Sequence, residues 1–257
     1  MKVSLFIACL TDTFYPRTGI AVVKVLEHLG CEVEFPTDQT CCGQPFWNNG
    51  FKREARDLAE TWLRAFERSD YIVSPSGSCT AMVRDYYHEL FAGDHAHEHL
   101  AQRLIPKTYE FVEFLVNVLN VDLRQYNVTW DGSATYHYSC HLRGIGMSNE
   151  AEQVIDQIDG IDYRPLEKKD QCCGFGGTFA TKFPEVSGTM VRDKVSCIAK
   201  TKADTVISND AGCTLNIAGA CRRESVDVQF KSLAEVIAEA MGLMDGGEGA
   251  RRDRGER

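Results

Sequence analysis

No stretch of this 257-residue chain approaches the roughly 18–20 consecutive apolar residues of a membrane-spanning helix, so any membrane role is expected to be peripheral or through a partner. The apolar run after Met1-Lys2 ends at Ala8, too short and too weakly led by positive charge for a secretory signal, and it reads as a strand. Basic residues are also scarce. Against 37 Asp and Glu stand 28 Lys and Arg, a net charge of −9, with no basic cluster outside the last residues, which excludes an ordinary nucleic-acid binder. Gly174-Phe175-Gly176-Gly177 lacks both the GxGxxG spacing and the Lys-Ser/Thr ending of a phosphate loop. No CxxC pair occurs, the usual unit of a structural zinc knuckle. Linear order alone pairs no Ser-His-Asp or Cys-His set, so no catalytic residue is assigned.

What the chain has in quantity is cysteine, eleven residues in all, and eight of them repeat. Cys9, the pair Cys41-Cys42 followed by Gly43, and Cys79 are matched by Cys140, the pair Cys172-Cys173 followed by Gly174, and Cys213. The first two stations are 32 residues apart in both copies, and the offset between copies is 131 residues at those stations and 134 at the third. Such regularity is an internal repeat with four thiols per half. A chain of this length buries a full core without crosslinks, and thiols without export point to a reducing, cytoplasmic compartment and to metal or redox chemistry.

Hydrophobic patterning alternates strands with helices. Lys2–Ala8 reads as a buried strand, 19–29 as an amphipathic helix stopped by Gly30, 31–35 as a second strand, 52–68 as a charged helix and 71–74 as a third strand ahead of Cys79. The second half repeats the order, with strands over 134–139, 163–166 and 205–208 and helices over 150–158 and 185–201. The expected fold is therefore α/β, with two pseudo-repeated lobes, each a small, mostly parallel sheet flanked by helices and carrying a cysteine site at its carboxyl edge. Boundaries follow at 1–92 for the first lobe, 93–130 for a connecting segment with a linker helix over 108–119, 131–244 for the second lobe, and 245–257 for a disordered tail rich in Gly, Asp, Glu and Arg.

On this outline each cysteine station follows the carboxyl end of a strand, where open parallel sheets gather their ligands. Cys79 and Cys213 also open helices, whose N–H groups favour a thiolate. Glycines within two residues of the sites, Gly43, Gly77, Gly174 and Gly212, allow close backbone approach. Three readings of the thiols stand at this point. Zinc takes four thiolates, although adjacent cysteines suit it poorly. Iron–sulfur clusters place neighbouring cysteines on different metals. Plain buried cysteine is the third reading.

The segments Cys-Cys-Gly-Gln-Pro at 41–45, Ser-Pro-Ser-Gly-Ser-Cys at 74–79 and Cys-Cys-Gly-Phe-Gly-Gly-Thr-Phe at 172–179 resemble the cysteine-rich CCG domain in tandem, over about residues 1–242. That domain occurs in heterodisulfide reductase and in the iron-sulfur component of glycolate oxidase, and the chain is most similar to the stand-alone tandems of the lactate utilization A family. The resemblance implies an iron–sulfur subunit for NAD-independent oxidation of L-lactate to pyruvate, acting in the cytoplasm with lactate utilization proteins B and C. It implies one cluster per lobe, held by Cys9, Cys41, Cys42 and Cys79 and by Cys140, Cys172, Cys173 and Cys213. The fullest form of the domain ends in CxxC and supplies five thiolates to a non-cubane cluster. Here Ser76 and Asp210 stand at the first position of that ending, so four thiolates per lobe fit an ordinary [4Fe-4S] cluster. A zinc-bound scaffold, or a cluster protein for glycolate or another 2-hydroxy acid, are the alternatives.

Other residues are expected to be secondary. Asp210 reads as a turn or helix cap, and His141 as a hydrogen-bond donor to a cluster sulfur or a polar helix start. Phe46, Trp47 and Phe175 either exclude water from the sites or belong to the core. His95, His97 and His99, near His88, are expected in a solvated loop, and Cys31, Cys197 and Cys221, which have no counterpart in the other repeat, as buried small residues.

Overall fold

Two four-stranded sheets, every adjacent pair parallel, organise the computed structural model, which describes residues 1–246. The first contains β1 (Lys2–Leu5), β2 (Glu32–Glu34), β3 (Tyr71–Ser74) and β4 (Thr108–Glu110) in the order β2-β1-β3-β4. The second contains β5 (Thr129–His137), β6 (Asp159–Tyr163), β7 (Thr205–Ser208) and β8 (Gln229–Ser232) in the order β6-β5-β7-β8. The chain turns back between β1 and β3, and again between β5 and β7. Each of these switch points opens a crevice at the carboxyl ends of its strands. Central strands are apolar on both faces because helices cover both: Val73 and Ile207 are fully buried, as are Val3 and Val206.

The α/β, two-lobed fold read from the sequence is the fold observed. Helix Pro16–His28 starts on a proline that needs no N–H partner and buries Thr18, Ala21, Val22, Val25 and Leu26 at helical spacing. Its chain then turns at Gly30, where φ is +83°. Helix Lys52–Phe66 buries Ala55, Ala59, Trp62, Leu63 and Phe66, and its counterpart Pro184–Thr201 buries Ser187, Val191, Lys194, Val195 and Ile198. One offset of 132 residues relates the two sets.

Three local expectations are corrected. The strand expected over 163–166 lies at Asp159–Tyr163, where Ile161 pairs with Gly132 and the polar residues face outward at an edge. The helix expected over 108–119 begins instead as β4, and helical turns start at Phe111 under a capping box made by Glu110 and Glu113. His95–Leu104 is a helix capped by Asp94, not a loop. Of the tail expected over 245–257, residues 247–257 lie outside the described residues, while Asp245 accepts a hydrogen bond from Arg17 at 3.0 Å.

The lobes share a core. The helix after β8, Leu233–Ala240, packs on Pro16–His28 of the first lobe, and the helical turn after β4 packs on Glu150–Ile155 of the second. Their buried residues form a single apolar cluster with Val3, Leu5 and Ile7 of β1 and its extension and Ala134 and Tyr136 of β5. Separate clusters fill the outer face of each sheet. Apolar burial at about 25 cal/mol per Å² thus holds the two carboxyl edges face to face.

Candidate metal centre

All eight repeated cysteines line a single cleft of about 110 Å³ between the lobes. The sequence assigns a site to each lobe; packing brings the two together. Cys9 follows β1 and Cys79 lies in the helix after β3, so both flank the first switch point. Cys140 and Cys213 flank the second after β5 and β7. Cys42, Cys79, Cys173 and Cys213 are buried, Cys41, Cys140 and Cys172 half-buried, and Cys9 exposed; every cysteine is a free thiol.

Each adjacent pair splits its sulfurs. Cys41 Sγ lies 3.6 Å from Cys9 Sγ, while Cys42 faces Cys79. Cys172 faces Cys140, while Cys173 Sγ lies 3.2 Å from Cys213 Sγ. Gly43 and Gly174, at φ +86° and +81°, make the turn that permits the split. Their N–H groups point at Cys41 Sγ at 3.5 Å and Cys172 Sγ at 3.4 Å. A Cβ at Gly43 would stand 3.0 Å from the Ala55 carbonyl oxygen, and one at Gly174 2.9 Å from that of Ser187. Tyr87 Oη donates to the Cys42 carbonyl at 3.1 Å, and Asn216 Nδ2 to that of Cys173 at 2.9 Å, fixing both turns from behind.

The hydrogen bonds polarise the thiols. Cys41 is driven far below the ordinary thiol range by bonds from Cys42 and Cys9, and Cys172 by bonds from Cys140 and Cys173, each helped by its glycine N–H. Their donors Cys9, Cys42, Cys140 and Cys173 are held up, first by donating and then by burial. The first cysteine of each adjacent pair is thereby the one most inclined to ionise. The donor set fits a polynuclear group better than one tetrahedral ion, because the sulfurs of each adjacent pair, beyond the contact they share, each reach a different second cysteine and can bind metals side by side.

Asp210 does more than end a turn. Its Oδ1 accepts from Gly212 N at 3.0 Å and Cys213 N at 3.2 Å, while its Oδ2 accepts from Ser78 N at 2.9 Å and Ser76 Oγ at 3.3 Å in the other lobe. One buried carboxylate therefore caps the starts of both cysteine-bearing helices. Ser76 in turn accepts from Cys79 N at 3.4 Å. Gly77 N donates to the Asn209 carbonyl at 3.1 Å, and a Cβ on Gly77 would meet Leu142 at 2.6 Å, so the lobes are in close contact here.

His141 Nδ1 lies 3.8 Å from Cys140 Sγ and its Nε2 3.2 Å from Gln44 Nε2 of the first lobe. Phe175 lines the cleft against Gly212. Trp47 packs on Tyr86 and Phe46 on Phe51, and neither lines the cleft, so shielding there falls to Phe175. His97 bonds to Asp94 at 2.7 Å and stacks on Phe91, and Arg56 engages Glu60 and Asp94 beside it, which makes this group an ion-pair network. Cys31, Cys197 and Cys221 are buried elsewhere.

Sequence reasoning missed His137. Its ring is fully buried at the end of β5, neither nitrogen has a hydrogen-bond partner, and a ring nitrogen lies within 4.8 Å of Cys173 Sγ and Cys213 Sγ. Burial holds the imidazole neutral, with a pKa lowered to about 3, and Lys194 pushes the same way. Its signal was available: at the 131-residue offset His137 stands where the first lobe has Phe6.

The cysteine-rich domain model CCG matches residues 3–84 and 134–218, the two stretches that carry the four-thiol sets. Lactate utilization protein A 2 of Bacillus cereus (strain AH820) is 43% identical over 94% of this chain and 99% of its own. The chain belongs to this tandem CCG family. Lactate utilization protein A of Bacillus licheniformis is likewise 43% identical, over 92% of this chain and 99% of its own. Among solved structures, a putative Asp/Glu racemase from Yersinia pestis aligns with 94% of this chain and 97% of its own at 11% identity and a TM-score of 0.36, too distant to bear on chemistry. In CCG terms, the first domain ends in the helix after β3 and the second in the helix after β7, so β4, β8 and the crossing helices lie outside the matched stretches.

Proposed function

We propose that this chain is an iron–sulfur electron-transfer subunit for the NAD-independent oxidation of L-lactate to pyruvate. The observation that carries the proposal is the meeting of two four-thiol sets in one inter-lobe cleft, in a chain similar along nearly its whole length to lactate utilization protein A. Cys9, Cys41, Cys42 and Cys79 would hold one [4Fe-4S] cluster, and Cys140, Cys172, Cys173 and Cys213 the other. Such clusters supply one-electron storage. The chain's own contributions are fixed thiolates, backbone N–H groups aimed at sulfur, and walls that keep water off the buried half of the cleft. The two sites share one cavity, so an electron entering at one lobe has a short path to the other.

Lactate utilization proteins B and C are the proposed partners, and the cytoplasm the proposed compartment. No helix among the described residues is long and apolar enough to cross a membrane. On the two cysteine sets the proposed division is a first lobe at 1–92, a connecting segment at 93–130 that also lends β4 to the first sheet, and a second lobe at 131–244. Zinc has one observation in its favour, the compact nitrogen and sulfur set of His137, Cys173 and Cys213.

Anaerobic purification, followed by iron, sulfide and zinc analysis and by EPR before and after dithionite, tests the reading. Iron with matching sulfide and a reducible signal is expected, and L-lactate should reduce it in the presence of the partner proteins. Zinc without sulfide in oxygen-protected protein would overturn it in favour of a thiolate scaffold. Reduction by glycolate in place of L-lactate would move the substrate to another 2-hydroxy acid.

A further inference from the structure

His137 makes the two lobes chemically unequal. The cysteines repeat, but the residue beneath them does not: the first lobe has Phe6, packed edge-on against Trp62 and Phe66 at centroid distances of 5.9 and 5.5 Å. At the same place the second lobe has an imidazole, fully buried, with both ring nitrogens unpartnered and one within 4.8 Å of Cys173 Sγ and Cys213 Sγ. A buried polar group without a partner is costly and rare in a folded protein. Four cysteines already serve the second site, and a neutral imidazole always carries one N–H.

The geometry points to His137 as a positioning residue whose unpartnered ring N–H would donate to a sulfur of a cluster held at the second-lobe site, setting that centre at a higher reduction potential than its first-lobe twin. This rests on the iron–sulfur reading above. A hydrogen bond to a cluster sulfur stabilises the more negative, reduced form, and Phe6 offers no such donor. The second lobe is then where an electron comes to rest, and the first lobe is the point of passage. Lys194, buried at the position of Trp62, adds positive charge on the same side, with its Nζ held by the carbonyls of Lys168 and Lys169 at 2.5 and 3.2 Å.

An EPR-monitored redox titration of the anaerobic holoprotein tests this, comparing wild type, His137→Phe and His137→Gln, each assayed first for iron and sulfide. In His137→Phe one midpoint should fall so that the reduced-to-oxidised ratio at fixed potential drops about tenfold, 59 mV for one electron, while the other stays in place. Glutamine, which retains an N–H donor, should recover most of the shift. Unmoved midpoints in His137→Phe with full iron and sulfide would overturn the inference and leave the iron–sulfur reading intact; wild type without iron and sulfide would overturn both. If His137→Phe does not fold, pulsed EPR on ¹⁵N-histidine-labelled His141→Gln protein decides. A weak nitrogen coupling to one reduced centre supports the donor. No coupling, or the strong coupling of a directly bound nitrogen, overturns it.

Discussion

The two lobes share one backbone plan and one cysteine pattern, yet they fill the space under their cysteines in opposite ways. In the first lobe Phe6, Trp62 and Phe66 form an aromatic block with no exposure to solvent, and Tyr87 closes it from the side. In the second lobe the offsets of 131 and 132 residues replace them with His137, Lys194 and Ile198, two of the three polar and all buried. Duplicated scaffolds keep what the metal site needs, namely thiols, turns and helix starts, and leave the layer beneath free to diverge. That layer sets the dielectric and the hydrogen bonds around the sulfurs, so divergence there changes electronics without disturbing ligation.

Breaking the aromatic block should have the largest effect. Trp62→Ala is expected to cost about 4 kcal/mol in chemical denaturation, against about 2 kcal/mol for Lys194→Ala, which loses stem packing and two hydrogen bonds. Equal losses would mean that the two layers do the same mechanical job. Next comes Asp210→Ala, which strips acceptors from helix starts in both lobes and should cost about 3 kcal/mol; Ser76→Ala, at the equivalent position, should cost about 1 kcal/mol. A small loss for Asp210→Ala would deny the bridging role of the carboxylate.

The paired glycines provide the symmetric control. Gly43→Ala and Gly174→Ala each impose a left-handed conformation and a contact of 3.0 and 2.9 Å with backbone, so each should cost about 2 kcal/mol or more and lower metal content in its own lobe. The smallest effect is a slope. Burial raises the Glu110 carboxyl to about 8, above its unfolded value near 4.5. Its contribution is present in full below about 4.5 and is lost as pH rises through about 8, because the folded state alone holds the proton in that window. Glu110→Gln should therefore flatten the decline in stability of wild type between pH 5 and 8, measured by denaturation at each pH, and an unchanged slope would place that decline elsewhere.

Legibility in the sequence followed burial. The central strands β3 and β7 were read residue for residue, since Tyr71–Ser74 and Thr205–Ser208 are compact apolar runs between turn signals. The edge strands β4 and β8 escaped because Thr-Tyr-Glu and Gln-Phe-Lys-Ser show no such run, and β6 starts four residues earlier than expected because Asp159 and Asp162 break its pattern. All eight thiols were legible from their spacing. Their meeting in one cleft was not, since it depends on contacts between the halves, Leu233–Ala240 with Pro16–His28 and Asp210 with Ser76 and Ser78, that no local pattern encodes. His137 was hidden for the converse reason: it sits in a run that reads as core, and only comparison with Phe6 marks it.

The crossing helices also have a consequence in time. Leu233–Ala240 is made after every residue it covers, so during synthesis the face of Pro16–His28 that carries Arg17 and Thr18, which engage Glu235, must wait for the far end of the chain. Until that helix arrives the two thiol sets are joined only by the smaller inter-lobe contacts, among them Asp210 with Ser76 and Ser78 and the turn after β4 with Glu150–Ile155. The finished cleft is therefore expected only once the second lobe and its closing helix are in place.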